Sequence, residues 1–163
     1  MTDRDRLLAV YLNDHLAGAT GGVELARRVR DANRNDDEFG EPSARLCEEI
    51  EADREMLARL MEDLGTRRDP VKPAAAWAME KIGRLKFNGQ LTGYSPLSRQ
   101  VELEGLLMGV AGKAQMWKAL GQAFGGRRGD FDFEQLAERA ERQRDVVRDL
   151  HLRAAARALP TSG

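Results

Sequence analysis

Along most of this chain apolar residues recur at alternating intervals of three and four, the period of a helix with one buried face. The spacing predicts helices over about 4–30, 42–64, 96–124 and 131–158, with a shorter helix over about 72–87 in the crossover. In the first, Leu8, Leu12, His15, Ala19, Val23 and Ala26 share a face; in the second, Leu46, Ile50, Asp53, Leu57, Leu60 and Leu64 do. The 96–124 segment carries Leu103, Leu106, Val110, Trp117, Leu120 and Phe124, with Lys113 in mid-stripe. The last carries Phe133, Leu136, Ala140, Arg144, Val147, His151, Ala154 and Ala158.

Start and stop signals agree with these limits. Thr2 can cap the first helix with Asp5, Ser95 precedes Pro96, and Asp132 stands three residues before Gln135. Gly65 fits a helix end, and Gly125, Gly126 and Gly129 mark a turn that includes Arg128-Gly129-Asp130. Residues 31–41 read as a polar connector without periodicity, and no stretch alternates as a strand would.

Four long amphipathic helices bury their stripes most simply against one another. Short links make the first two and the last two helices antiparallel hairpins, and the long crossover makes the second and third parallel. The expected fold is therefore all-α, a single 163-residue domain built as a ferritin-like four-helix bundle with a long helical crossover. In that register, residues whose numbers add to about 75 in the first hairpin, or about 256 in the second, share a level to within one turn.

The polar members of the stripes then fall into groups. Asp53, Lys113 and Arg144 lie at neighbouring heights and are expected to form an internal ion cluster, because an unpaired ion in a core costs several kcal/mol. Glu102 and His151 share another level, and His15 falls at that of Trp117. These three are the candidate metal or pocket residues. A di-iron or di-manganese site in this architecture uses Glu-x-x-His on two helices, but Leu12 and Arg148 stand three residues before the two histidines. Iron or manganese is therefore a secondary expectation, and no cofactor and no catalytic residue is assigned.

Charge adds a second candidate. The net charge is −1, so no global field draws the chain to nucleic acid or membrane. Locally, Lys81, Arg84 and Lys86 in the crossover approach Tyr94, Ser95, Ser98 and Arg99 at the start of the 96–124 helix, where free N–H groups attract anions. An anionic small molecule or an RNA backbone would suit that patch. Cys47, a lone cysteine, reads as a buried structural thiol in a reducing cytoplasm. The N-terminus lacks the apolar core of a signal peptide, and no apolar run reaches the roughly 18 residues of a membrane span. Gly18 and Gly22 in the first helix and Gly105, Gly109 and Gly112 in the 96–124 helix suggest close approach of another backbone, hence a homo-oligomer.

The segments YLNDHLAGATGGVELARR (11–28), EEIEADREML (48–57), AAAWAMEKIGRLKFNG (74–89) and LTGYSPLSRQVELEGLL (91–107) resemble a bacterial, mainly actinobacterial, family of small proteins. The resemblance covers almost the whole chain. It implies a ferritin-like helical bundle in the bacterial cytoplasm, with no established activity to carry over. The expected function is a non-catalytic binding or assembly module. The alternatives are a divergent metal-dependent oxidoreductase and an anion- or RNA-binding protein.

Overall fold

The computed structural model describes residues 2–69 and 93–159. The expected crossover helix, with Lys81, Arg84 and Lys86, lies outside them. The described residues form four long helices: α1 (Asp3–Asn33), α2 (Gly40–Asp63), α3 (Pro96–Phe124) and α4 (Phe133–Ala158). Between α3 and α4, β1 (Arg127–Arg128) pairs antiparallel with β2 (Phe131–Asp132). This hairpin was not foreseen from periodicity, because two residues per strand are too few to alternate. Gly129, at φ 52°, takes the first central position of its two-residue turn. Among the described residues no helix is long and apolar enough to cross a membrane.

The ends follow local chemistry. Thr2 and Asp5 form a reciprocal capping box at α1, Ser95 accepts from the Ser98 N–H at α3, and Asp132 accepts from the Gln135 N–H at α4. Gly65, at φ 64°, closes α2 by donating to the Glu62 carbonyl while Thr66 donates to that of Met61, a Schellman closure.

α1 and α2 run antiparallel, with Arg54 on Thr20 and Arg27 on Glu51. α3 and α4 do likewise, with Gln100 beside His151 and Lys118 beside Glu141. α1 crosses α3 in the opposite sense, Arg28 meeting Glu102 and Leu25 meeting Gly105, so α2 and α3 run parallel.

Three expectations need correction. The 31–41 connector is shorter than expected and is not wholly polar, since Phe39 is completely buried. Asp36 folds the link into a turn by accepting the N–H groups of Glu38 and Phe39. Two stripes are shifted by a residue: α1 buries Leu16 rather than His15, and α4 buries Gln143 and Leu150 rather than Arg144 and His151. Steps of three and four both satisfy the helical period, and at Leu16 and Leu150 the more apolar neighbour goes inward. Finally, Gly18, Gly22, Gly109 and Gly112 have open space where a Cβ would stand, so no described residue approaches them, whereas Gly105 does meet a neighbour, Leu25 Cδ2 at 3.1 Å.

The apolar interior divides into two blocks. One gathers Leu12, Leu16, Leu57, Leu60, Met61, Met116, Trp117, Leu120, Phe133 and Leu136. The other gathers Val23, Val29, Phe39, Leu46, Ile50, Leu103, Leu106, Val110, Val147 and Leu150. Asp53, Lys113 and Gln143 sit in sequence between the two sets on their respective helices.

Candidate functional site: a polar layer at the floor of a glycine-walled groove

Asp53 comes from the buried face of α2, one turn before Leu57, and is 3% exposed. Its Oδ2 accepts from Lys113 Nζ on α3, and its Oδ1 accepts from a terminal nitrogen of Arg139 on α4. Lys113 Nζ also donates to Gln143 Oε1, one turn beyond Arg139. The ion cluster thus contains Asp53 and Lys113 but not Arg144. Arg144 lies on the outer flank of α4, 2.5 Å from Glu141 and 3.6 Å from Asp145. The same one-residue shift that brings Gln143 inward turns Arg144 outward and leaves Arg139 as the second cation. Sequence reasoning missed Arg139 because it flanks the stripe and reaches the layer with a long side chain.

Two cations meet one carboxylate here. The Arg139 guanidinium already neutralises Asp53. Protonating Lys113 therefore adds an unbalanced positive charge to a site where its side chain is only 14% exposed. Burial pushes the ammonium down to about 7, with the field of Glu49 opposing the shift. Gln143 cannot compensate: its Nε2 is buried and finds no acceptor among the described residues.

Lys113 and Asp53 also line a cavity of about 260 Å³ between α1, α2 and α3. Its walls are Gly18 and Gly22 on α1 and Gly105, Gly109 and Gly112 on α3. Ile50, Leu57, Val110, Met116 and Trp117 supply apolar surface deeper in, and Asp14, His15 and Arg54 a polar edge. The glycines are what makes the space, since side chains at Gly18, Gly22, Gly109 and Gly112 would project into it unopposed. Trp117 Nε1 is fully buried and has no acceptor among the described residues. His15 packs edge-on against Tyr11 at 4.6 Å between ring centroids; burial lowers its pKa, and Asp14 works against that shift.

The remaining candidates are drawn elsewhere. Glu102 and His151 do not form a pair. Glu102 lies 2.5 Å from Arg28 Nε and acts on Tyr94 through its charge, whereas His151 Nε2 is 2.7 Å from Gln100 Nε2. Gln100 and Glu102 are two residues apart on α3 and so face different neighbours, α4 and α1 respectively. Among the described residues no three His, Cys, Asp or Glu side chains stand close enough to hold a metal ion.

Tyr94 continues this network to the end of the molecule. Its hydroxyl accepts from Asn33 Nδ2 at 3.0 Å, and burial, reinforced by Glu102, raises its pKa. Arg99 donates to Asn33 Oδ1 at 2.6 Å and to Asp36 Oδ2 at 2.9 Å, and stacks on Phe39 at 4.2 Å. Ser95 caps α3, and Ser98 Oγ lies 3.0 Å from Ser95 Oγ. The described part of the expected anion patch is therefore occupied by the protein's own groups. Cys47 is buried, 3.6 Å from Arg30, and burial raises its pKa.

No protein-family model, no curated protein and no solved structure matches the chain. The site itself carries the functional argument.

Proposed function

We propose that this protein is a non-catalytic binding module of ferritin-like four-helix-bundle type, and that its ligand site is the groove between α1 and α3. The observation that carries this reading is a half-enclosed apolar space whose floor is a charged layer. Ligand pockets commonly combine apolar walls with a few placed polar groups. At about 260 Å³, the space exceeds the roughly 150 Å³ of apolar cavity that accepts benzene, so it suits one ring with a short polar substituent. The polar substituent would meet Lys113 at the floor or His15 and Arg54 at the edge.

The glycines make the reading testable with little harm to the fold. Gly109→Leu and Gly18→Leu fill the groove from positions where a Cβ meets nothing. Benzyl alcohol, titrated at millimolar concentration, should shift the methyl NMR signals of Met108 and Met116 in the parent protein and not in these variants. Unchanged Met108 and Met116 signals in the parent protein would refute the site.

A second reading, self-association through the same face, is favoured by exposed apolar side chains there. Leu7 and Tyr11 continue the line of Gly18 and Gly22 along α1, and Met108, 69% exposed, stands at the groove on α3. Light scattering over a hundredfold concentration range tests it. A mass that stays monomeric throughout removes the second reading and leaves the first.

A further inference from the structure

The arrangement around Lys113 Nζ suits more than a passive contact. The nitrogen has three positions besides its own carbon. Asp53 Oδ2 and Gln143 Oε1 take two of them, and no described residue takes the third. Lys113 is also a wall residue of the groove. The groups around it are Asp53, Glu49 and Arg54 from α2, Arg139 and Gln143 from α4, and Asp14 and His15 across the groove on α1. Of these, Arg139 is paired to Asp53 and keeps the carboxylate balanced when the amine is neutral. The chain has 21 arginines and five lysines, yet this inward position holds a lysine, the cation that can give up its proton. A desolvated lysine beside another cation in an apolar pocket is the recognised setting of an amine nucleophile.

We propose that Lys113 captures carbonyl compounds in the groove as a reversible imine, the ligand being a small, largely apolar aldehyde or ketone. The lone pair of neutral Nζ attacks the carbonyl carbon, and one of the two protons on the nitrogen passes through Asp53 to the carbonyl oxygen, giving a neutral carbinolamine. The remaining N–H proton passes by way of Asp53 to the departing hydroxyl, water leaves, and the C=N bond forms. The exchange is one carbonyl compound and one amine for one imine and one water, with no oxidant or reductant. Gln143 holds the amine in place, and Arg139 keeps Asp53 ionised when it is not carrying the proton.

This inference rests on the groove being a ligand site, and the experiment separates the two. The intact protein is treated with benzaldehyde and sodium cyanoborohydride, which reduces an imine to a stable benzylamine, and the modified lysines are mapped by mass spectrometry. Exposed Lys118 serves as the internal reference. An ordinary surface lysine is almost wholly protonated at neutral pH, so Lys113 should be labelled at least about tenfold faster at pH 7. Its labelling should level off with pH well below the ordinary lysine range near 10.4, and saturating benzyl alcohol should slow it. Labelling of Lys113 no faster than Lys118, with Met108 and Met116 still shifted by benzyl alcohol, overturns the imine and leaves the groove standing. No labelling advantage and no methyl shift overturns both.

Discussion

Two polar networks cross the interior of this protein, and they are built on opposite plans. The one at the end links Asn33, Asp36, Tyr94, Arg99, Glu102 and Arg28 around Phe39. Its carboxylates and cations alternate, and Arg99 and Arg157 both lie over the Phe39 ring. The one in the middle sets two cations against a single carboxylate, leaves the Gln143 amide half-used, and borders a cavity. A network that is balanced fixes chain geometry and has little left to offer a ligand. A network with a surplus charge beside open space can change its protonation state, and a ligand can complete it.

The contrast can be broken most severely at the end. Phe39→Ala should cost about 3–5 kcal/mol in urea denaturation, because it empties a fully buried ring site and removes the surface on which both arginines stack. A loss below about 1 kcal/mol would mean that the end network holds without its apolar centre. In the middle, Asp53→Asn should cost about 3 kcal/mol, since it strands Lys113 beside Arg139. Adding Lys113→Met to that variant should restore part of the loss. A double variant less stable than the single one would contradict the surplus-charge account.

pH separates the networks without any mutation at the end. The folded pKa of Lys113 lies near 7, below its ordinary 10.5, so between those values the unfolded chain binds more protons than the folded one. Stability contributed through Lys113 should therefore rise with pH across that window, and Lys113→Met should abolish the rise. Asp36 gives a slope of the same sign in a separate, acidic window. Burial alone would raise it, but the Glu38 and Phe39 N–H groups and then Arg99 and Arg157 hold it below the usual 3.8. Its contribution is complete above that value and is lost as pH falls through the lower folded one. Denaturation midpoints of the parent and Lys113→Met proteins, measured from pH 2 to pH 10.5, would show both limbs or refute them.

The smallest expected effects are at the groove walls. Glycine inside a helix is less stable than alanine by about 0.5–1 kcal/mol, so Gly18→Ala, Gly22→Ala, Gly109→Ala and Gly112→Ala should each stabilise by that amount. Gly105→Ala should gain less or nothing, because Leu25 Cδ2 would lie 3.1 Å from the new methyl. Thermal unfolding distinguishes the two classes.

Much of the frame was legible in the sequence because its signals are local. The α3 limits follow from Ser95, Pro96 and Gly125, and the parallel course of α2 and α3 from the long crossover. The meeting of Asp53 and Lys113 followed from register, since each interrupts an apolar stripe at a matching height. What was not legible depended on helix rotation. Moving inward by one residue exchanges Arg144 for Gln143 and His151 for Leu150, and periodicity tolerates either choice. The glycines are ambiguous for a related reason: the residue that permits a close approach is also the one that leaves a hole, and only the neighbours decide which. Phe39 was overlooked because a single aromatic among polar residues has no period at all.

The division of the apolar interior by Asp53, Lys113 and Gln143 also bears on how the molecule opens. Apolar packing transmits cooperativity only where it is continuous, and here it is interrupted at mid-height on three of the four helices. The two blocks should then open as separate units, joined by ionic contacts whose strength depends on the charge of one amine. Amide exchange in the Leu57–Trp117–Phe133 block should respond little to neutralising Lys113, while exchange at the turns on either side of the layer should slow. A ligand that fills the groove would act on the same joint, so occupancy would be felt as rigidity between the halves and not only as affinity at one wall.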